Sequence, residues 1–295
     1  MGATIVNGFA AGECQVWWAC ADLARSALVP LLSDDERRRW GAFRRETDRA
    51  LYLVAHVLAR LVIARGLCVP PSALAISTMC PHCGGDHGKP RLFSPATSVE
   101  FSMSHSGNLV VVAVARDTPL GVDVERLSPG GGGIEAIGEM LSQAEQDVVV
   151  TQPPDRQQLA FTRYWTRKEA VLKATGDGLR VPLDRLTVTA PDMPPALLSW
   201  DGGPLDRPIH LYNLDAGTEH VACLAMLGTR LRVVQSNGSK LLLANAGVAS
   251  QGRSSAPAGP AYLDDFVSDI AVVPSQKARD LLYREAAHEL VARLA

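Results

Sequence analysis

Three acidic side chains and one lysine, in two short segments, could do chemistry on a phosphorylated substrate. In residues 121–125, "GVDVE", Asp123 and Glu125 alternate with valines. Successive side chains of a strand point to opposite faces, so the two carboxylates share one face and lie about 7 Å apart at Cβ. Carboxylates at that spacing can converge on a hard cation, and Mg²⁺ prefers one or two protein carboxylates together with substrate phosphates.

The third acid and the lysine occur in residues 165–179, "WTRKEAVLKATGDGL". Glu169 and Lys173 are four residues apart, so on a helix they share one face. A metal, a base and a cation together suit phosphoryl-type transfer, which needs mainly positioning and charge neutralisation. Taken singly, each piece is also typical of ordinary structure, namely an edge strand with solvated acids and a surface Glu–Lys pair.

Groups that could bind phosphate lie elsewhere in the chain. "HGKP" places Lys89 between Gly88 and Pro90, which predicts a rigid turn that presents an ammonium group and backbone amides. "SMSHSG" places Ser104, His105 and Ser106 just before a strand. Arginines cluster near residue 40, and for most of them a solvated helix face is the expected role. The arginines of this cluster are Arg37, Arg38, Arg39, Arg44, Arg45 and Arg49.

Hydrophobic periodicity predicts the elements that hold these residues. Ser33 is expected to cap a helix, and apolar residues then recur at helical spacing from Thr47 until Gly66 ends the run. "LVVVAVARDTPLGVDVE" predicts two strands joined as a β-hairpin by an "RDTP" turn. "RQQLAFTRYWTRKEAVLKATG" predicts a helix closed by Gly176, and "LTVTA" and "HVACLAML" predict later strands.

The order of elements suggests two halves and a tail. A helix followed by a hairpin is expected in residues 1–115 and again in 116–234, without an internal sequence repeat. After Val234 the chain becomes rich in Ser, Gly and Ala, which is typical of a linker. A short amphipathic helix with Tyr283, Ala287, Leu290 and Leu294 on one face is expected near the end. We assign no function to residues 235–295.

Composition excludes several classes of protein. The net charge of −2 gives no global basic field for nucleic acid or an anionic membrane, and we find no apolar run long enough to span a bilayer. Six cysteines in 295 residues are too few for a disulfide scaffold. The first residues lack a basic stretch followed by an apolar one, so no secretory signal is expected. These features favour a cytoplasmic protein.

In combination, "GVDVE", the W-x-x-K-E-A-x-x-K helix, "HGKP" and "SMSHSG" resemble the Sfp-type 4'-phosphopantetheinyl transferases over residues 31–227. The resemblance implies an α+β fold, a pseudo-dimer of two similar halves with the active site in the cleft between them, complete in one monomer. It also implies transfer of the phosphopantetheine arm of coenzyme A to a serine of an apo acyl or peptidyl carrier protein, with Mg²⁺. Adenosine 3',5'-bisphosphate would be released. The pathway, fatty acid, polyketide or peptide synthesis, stays open.

The same resemblance implies roles for individual residues. Asp123, Glu125 and Glu169 would hold Mg²⁺, Glu169 would be the base for the attacking serine, and Lys173 would stabilise charge on the leaving oxygen. The implied catalytic set is therefore Asp123, Glu169 and Lys173. Contacts with coenzyme A would come from Arg39, Arg49, Gly88, Lys89, Pro90, Ser104 and His105.

Two alternatives stay open at this point. One is a Mg²⁺-dependent enzyme that acts on another nucleotide pyrophosphate. The other is a non-catalytic binding module built around zinc, suggested by Cys80 and Cys83 in C-x-x-C spacing with His82 and His87 nearby. Structural zinc normally needs four ligands, and no second C-x-x-C pair lies close by in the sequence.

Overall fold

The structure, a computed structural model, describes residues 8–81, 83–85, 88–127 and 140–247. Its elements alternate short strands with two long helices. The helices are α1 Asp34–Ala42, α2 Glu46–Leu67, α3 Gln143–Val150, α4 Pro154–Thr175 and α5 Ser239–Asn245. The strands are β1 Glu13–Cys20, β2 Ala75–Ser77, β3 Arg91–Ser94, β4 Val99–Ser106, β5 Leu109–Arg116, β6 Leu120–Arg126, β7 Leu186–Val188, β8 Leu197–Trp200, β9 Ile209–Leu214, β10 His220–Leu227 and β11 Arg232–Asn237.

The first large sheet has the strand order β11-β1-β5-β4 and carries α2 on one face. β1, β5 and β4 pair antiparallel, and β11 joins β1 in parallel. The valines of β5 alternate between two cores, because Val110 and Val112 pack with α2 while Val111 faces the second sheet. A strand buried on both faces gives the unbroken apolar run "LVVVAVA" rather than an alternating pattern.

The second large sheet has the order β6-β10-β9 and is antiparallel throughout. Helix α4 packs on one face of it, where Cys223 and Ala225 of β10 join the helix core. The opposite face carries Val122, Val124 and Leu224, which pack against the first sheet. The protein therefore has four layers, helix, sheet, sheet and helix, with an apolar core between each adjacent pair.

Both halves follow one topology. In each half, the first strand is followed by a 22-residue helix and later by an antiparallel pair of strands. In the sheet, the second strand of that pair lies next to the first strand of the half, and the first strand of the pair lies beyond it. The two orders are β1-β5-β4 and β6-β10-β9, and a small two-stranded sheet, β2–β3 or β7–β8, lies between helix and strand pair. The predicted α+β class is confirmed, and the expected recurrence of elements is present as a recurrence of sheet order.

A buried ion pair secures each long helix in the same way. Ser33 begins α1 in a capping box with Glu36, as predicted for the cap, and Glu36 also accepts a 2.6 Å hydrogen bond from Arg60 of α2. In the second half Ser142 and Glu145 form the box, and Glu145 pairs with the fully buried Lys168 of α4. In both halves the cation also bonds to backbone carbonyls of residues that follow its helix.

The glutamate of the first box stays ionised at any ordinary pH. Although burial favours its protonated form, hydrogen bonds from His56, from the Ser33 amide and from Arg60 outweigh burial and lower the pKa of Glu36 to about 2. Breaking such a buried pair on one side leaves an uncompensated charge, which is strongly destabilising. The capping glutamates are therefore structural residues that hold α2 and α4 in place.

The predicted hairpin between β5 and β6 is wrong. The two strands exist where they were expected, but β5 belongs to the first sheet and β6 to the second. Both edges of β5 are already paired, with β1 and with β4, so no edge remains for β6. The "RDTP" turn, with Asp117 at φ 55°, instead carries the chain from one half to the other.

The expected linker does not begin at residue 235. Strand β11 continues to Asn237 beside β1, and α5 follows at once and packs on α2 through the fully buried Leu242. Residues 235–247 therefore belong to the first half, because they complete its sheet edge and cover its long helix. The amphipathic helix expected around Tyr283 to Leu294 lies outside the described residues.

Helix α2 is the one described helix that is long and apolar enough to cross a membrane, contrary to the sequence expectation of none. Of its most apolar window, 72% is buried inside the protein, as in the core helix of a globular domain. The helix also passes through Gly66, which was expected to end it, and closes at Cys68 in the left-handed conformation. At Gly66 a Cβ would overlap the ring of Phe9, so this glycine allows a close contact.

Candidate active site

Helix α4 crosses strand β6 at Gly121, and this contact assembles the site. A Cβ at Gly121 would lie only 2.2 Å from the carbonyl oxygen of Ala170 and 2.7 Å from Cβ of Lys173. A residue with a side chain would therefore push the helix away from the strand. The glycine of "GVDVE" thus brings the next acid of the strand, Asp123, within reach of the helix face that carries Glu169 and Lys173.

Asp123 is the centre of a hydrogen-bonded network between the two halves. Its Oδ1 accepts bonds from Nζ of Lys173 at 2.6 Å and from Oγ of Ser104, on β4, at 2.9 Å. Lys173 also donates to Ser104 Oγ at 3.1 Å. The carboxylate is 3% exposed, and its Oδ2 is buried with no hydrogen-bond partner among the described residues. An unpartnered buried carboxylate oxygen is costly unless a ligand supplies its partner.

Glu169 has the electrostatics of a base poised near neutral pH. Burial is the main cause that raises its pKa, to about 7, and the charges of Asp123 and Glu125 add to it while Lys173 opposes it. No hydrogen bond to this carboxylate contributes to the shift. A carboxyl group raised by burial and by neighbouring acids is typical of functional sites, although structural networks can do the same.

Lys173 stays charged despite its surroundings. Burial alone would lower its pKa, but the carboxylates of Asp123, Glu169 and Glu125 outweigh burial and raise the pKa of the ammonium above its ordinary value. Two of its three donors are used by described residues, Asp123 and Ser104, which leaves one for a further acceptor.

The donor set fits a hard cation in chemistry, with oxygen ligands only and one buried carboxylate oxygen that needs a partner. The described residues, however, contain no group of three Asp, Glu, His or Cys side chains close enough to share a metal ion. The predicted three-carboxylate site at Asp123, Glu125 and Glu169 therefore stays a prediction. In this structure Asp123 Oδ1 is bonded to Lys173, and Glu125 Oε2 is bonded to Ser106 at 2.7 Å.

Comparison with known families agrees with this geometry. Residues 17–117 match the model described as "4'-phosphopantetheinyl transferase, N-terminal", and residues 119–225 match "4'-phosphopantetheinyl transferase superfamily". The 4'-phosphopantetheinyl transferase psf-1 of Bacillus pumilus is 30% identical over 198 residues, 66% of this chain and 80% of that protein. This chain belongs to the 4'-phosphopantetheinyl transferase superfamily.

A further relative of this transferase supports the Sfp type that the motifs predicted. The 4'-phosphopantetheinyl transferase Sfp of Bacillus subtilis (strain 168) is 27% identical, over 67% of this chain and 84% of that protein. The solved holo-[acyl-carrier-protein] synthase of Thermotoga maritima matches 38% of this chain and 64% of its own at 18% identity, with a TM-score of 0.32. The two family matches meet at residue 118, in the turn where the chain passes from the first sheet to the second.

Lys89 lies against the backbone of both α4 and β6. Its Nζ donates to the carbonyl oxygens of Leu120 at 2.9 Å and Ala174 at 3.4 Å, and lies 3.7 Å from Glu100. Burial, partly offset by Glu100, lowers the pKa of Lys89 to about 8. The predicted phosphate contact stays a prediction, but the structure shows that this lysine joins the end of α4 to the start of β6.

Arg39 and Arg49, expected to contact coenzyme A, lie together at the corner of α1 and α2. Arg39 donates to Thr78 Oγ1 at 3.0 Å, and the Arg49 guanidinium lies 5.3 Å from the centre of the Trp40 ring. Two buried donors here, Arg49 Nε and Trp40 Nε1, have no hydrogen-bond partner among the described residues. The corner therefore has hydrogen-bonding capacity for an anion.

The other expected contacts with coenzyme A are dispersed. Ser104 points towards β6, whereas His105 is exposed and, by strand alternation, points to the opposite face of β4. Gly88 donates to the carbonyl of Thr78 at 2.6 Å, and a Cβ there would lie 2.8 Å from the Met79 carbonyl oxygen. Gly88 and Pro90 thus shape the turn before β3 that carries Lys89.

Sequence reasoning did not anticipate what Lys168, Glu145, Ser102 and Ser106 do. Lys168, part of the motif that carried the resemblance, is a buried structural lysine paired with Glu145. Ser106, which the sequence places with Ser104 and His105 among the candidates for phosphate binding, bonds to Glu125 and to the backbone of β6, and Ser102 bonds to that backbone as well. The sequence contains a signal for both arrangements: S-x-x-E in "SQAE" predicts the capping box before α3, and the alternating serines of "SMSHS" predict one polar strand face.

The zinc alternative lies only partly within the described residues. Cys80 is buried and Cys83 is exposed, and the Gly85 amide donates to the sulfur of Cys83 at 3.4 Å. His82 and His87 lie outside the described residues.

Proposed function

We propose that this transferase moves the phosphopantetheine arm of coenzyme A to a serine of an apo acyl or peptidyl carrier protein. Adenosine 3',5'-bisphosphate is released. Family membership supports the reaction class, and the geometry supports the roles of the residues. The observation that carries the proposal is the pairing of Glu169, with a pKa of about 7, with Lys173, which is hydrogen-bonded to the strand acid Asp123.

Glu169 is the proposed base for the attacking serine. A serine hydroxyl is a weak nucleophile and needs a positioned base. A pKa near 7 makes the carboxylate available at neutral pH while it still accepts a proton effectively. As the serine oxygen bonds to the phosphorus, its proton passes to Glu169, and the bond between the two phosphates of coenzyme A breaks.

Lys173 is the proposed partner of the leaving oxygen. Its ammonium is held in place by Asp123 and Ser104 and has one donor left among the described residues. A fixed cation aimed at developing negative charge lowers the barrier without reorganisation during the reaction. The side chain is 30% exposed, so a phosphate can reach it from solvent.

Asp123 is the proposed main ligand of Mg²⁺ through its unpartnered Oδ2, with Glu125 and Glu169 as further ligands. When bound, the ion would neutralise the pyrophosphate of coenzyme A. Because Asp123 lies in the second half and Ser104 in the first, one chain supplies both sides of the site. This supports a monomer as the working unit.

The corner at Arg39, Trp40 and Arg49 is the proposed binding place for a phosphate group of coenzyme A. Arginine side chains and an indole N–H are donors that suit phosphate oxygens. The unpartnered Nε of Arg49 and Nε1 of Trp40 support this assignment, since buried donors without partners are rare in native proteins.

Intact-mass spectrometry tests the proposal directly. The protein, coenzyme A and Mg²⁺ are incubated with apo acyl and apo peptidyl carrier proteins, and the carrier is expected to gain the mass of one phosphopantetheine group. A carrier with its acceptor serine replaced by alanine is the control and should gain nothing. If no carrier is modified while another nucleotide pyrophosphate is consumed, a different substrate must be assigned.

A further inference from the structure

Strands β4 and β6 lie side by side across the two halves, but they belong to separate sheets. In place of a backbone ladder, three serines of β4 join them. Ser102 Oγ accepts from the Val122 amide at 3.1 Å, and Ser106 Oγ accepts from the Arg126 amide at 3.1 Å. Both pairs are 20 residues apart in sequence, so the strands run parallel in one fixed register. We call these three residues, Ser102, Ser104 and Ser106, the serine seam.

The three serines of the seam differ in what they do for the acids of β6. Within the described part of the chain, Ser102 bonds only to the backbone of β6, and Ser104 bonds to Asp123 and Lys173. Ser106 does two things with one hydroxyl, because it accepts from the Arg126 amide and donates to Glu125 Oε2 at 2.7 Å. A hydroxyl has one O–H donor, so this bond to Glu125 fixes the orientation of the Ser106 hydroxyl.

We infer that Ser106 is a positioning residue that presents the carboxylate of Glu125 to the metal ion of the transfer reaction. The inference rests on the proposed function, which places Glu125 among the Mg²⁺ ligands. Ser106 itself does not touch the reacting atoms.

The physical argument is one of preorganisation. Glu125 lies near the end of β6, and its side chain has several rotatable bonds, so a carboxylate that nothing anchored would sample many positions. Ser106 is 7% exposed and is anchored by the backbone of β6 itself, so it holds one oxygen of Glu125 at a fixed place relative to that strand. Hydrogen-bonded partners of this kind orient metal ligands, and their loss typically costs roughly 10–100-fold in metal affinity or activity.

Ser102 supplies a matched control. Like Ser106 it is a buried serine on the same face of β4, and it accepts a backbone amide of β6 at the same distance. Among the described residues it makes no hydrogen bond to an acid of the site, so Ser102→Ala removes a bond of the seam and leaves the acids unchanged. A purely structural role for Ser106 predicts equal effects of the two substitutions.

The experiment compares wild type, Ser102→Ala, Ser106→Ala and Ser106→Thr by calorimetric titration of Mn²⁺ into the protein saturated with coenzyme A. Thermal unfolding without metal is measured alongside. We expect Ser106→Ala to weaken Mn²⁺ binding by roughly tenfold or more, because tenfold is the lower end of the range typical for residues that orient a metal ligand. Ser102→Ala should bind Mn²⁺ like wild type. Ser106→Thr, which keeps a hydroxyl, should restore most of the affinity.

The outcomes separate this inference from the proposed function. If wild type binds Mn²⁺ and Ser106→Ala binds it equally well, or if both alanine variants weaken binding alike, the positioning role is wrong while the proposed function stands. If wild type with coenzyme A binds no Mn²⁺ and transfers without a divalent ion, the metal part of the proposed function fails first. Equal losses of melting temperature in the two alanine variants, with unequal Mn²⁺ affinities, would support the inference most clearly.

Discussion

The ammonium of Lys173 lies 2.6 Å from Oδ1 of Asp123, so a helix of the second half and the strand beneath it share one ion pair at the site. The pair leaves Oδ2 of Asp123 buried and without a hydrogen-bond partner among the described residues. It also holds the Lys173 side chain in place on the helix face that carries Glu169, whose pKa is about 7. One ion pair therefore orients both the proposed metal ligand and the proposed cation for the leaving group.

Replacing Glu169 by Gln should slow the chemical step and leave coenzyme A binding intact. The amide keeps the size of the side chain but cannot take the serine proton, so the single-turnover rate should fall by a factor of ~10²–10⁴. In wild type this rate should rise with pH as Glu169 loses its proton, at or below the pKa of about 7 in the metal-free protein, because a bound cation favours the carboxylate. The variant should lack that rise. An unchanged rate, or an unchanged rise with pH, would rule out Glu169 as the base.

The same substitution should stabilise the protein at alkaline pH. The pKa of Glu169 is raised in the folded state, from 4.5 to about 7, so the folded protein binds this proton more tightly than the unfolded chain. The free energy of unfolding should fall as pH rises from about 4.5 to about 7, and it should remain lower at pH values above 7. Glu169→Gln should therefore melt at a higher temperature than wild type at pH 8, and the difference should shrink at pH 5. A lower melting temperature at pH 8 would contradict the cited shift.

Asp123→Ala should nearly abolish transfer and should also lower stability. The sequence alone suggests that this acid lies on a solvated strand face, but it is 3% exposed and bonded to Lys173 and Ser104. Its loss leaves two donors without their acceptor, which costs roughly 1–3 kcal/mol for each buried group, less for the partly exposed lysine. Urea unfolding and single-turnover assays measure the two effects. Near-normal turnover at saturating Mg²⁺ would show that Asp123 is not needed.

Lys89→Met should destabilise the protein even without coenzyme A. Methionine keeps an apolar stem of similar length but leaves the carbonyls of Leu120 and Ala174 without their donor. Buried acceptors without partners cost roughly 1–3 kcal/mol, so the free energy of unfolding should fall by that order. Denaturant unfolding of the free protein checks this. If stability is unchanged and only the KM for coenzyme A rises, Lys89 acts as a phosphate contact alone.

Truncation after Val234 should be far more damaging than truncation after Gly247. The shorter chain loses the second half of β11 and all of α5, including the fully buried Leu242, whereas the longer one keeps every described element. Removing a buried leucine alone typically costs about 2–5 kcal/mol. Solubility, circular dichroism and transfer by the two truncated proteins test this. Equal activity after both truncations would show that α5 is dispensable.

Much of the site follows from the sequence because its signals are local. The alternation in "GVDVE" places Asp123 and Glu125 on one strand face, and the four-residue spacing places Glu169 and Lys173 on one helix face. The Ser33 cap and the Gly176 stop are equally local, and the structure contains both. Each of these features depends on a few neighbouring residues, so the sequence by itself determined them.

The pairing of strands needed the tertiary structure. Nothing in "LVVVAVARDTPLGVDVE" reveals that both edges of β5 are paired with β1 and β4, because both strands lie outside this segment. The same holds for β11, whose place beside β1 joins residues more than 200 positions apart. Local periodicity gives the faces of a strand, but its edge partners depend on long-range contacts that the pattern does not contain.

Burial was the second feature that only the fold decided. Asp123, Lys168 and Glu145 belong to residue types that are mostly exposed in proteins, yet each is 3% exposed or less. Asp123 is buried by the packing of α4 on β6 at Gly121 and by the seam between β4 and β6. Lys168 and Glu145 pair with each other and bond to the backbone at Leu183 and Val188, so their burial also depends on segments that lie apart in the chain. The sequence therefore determined which chemical groups the site has. The tertiary structure decided their pKa values and partners, because burial and charge neighbours set both.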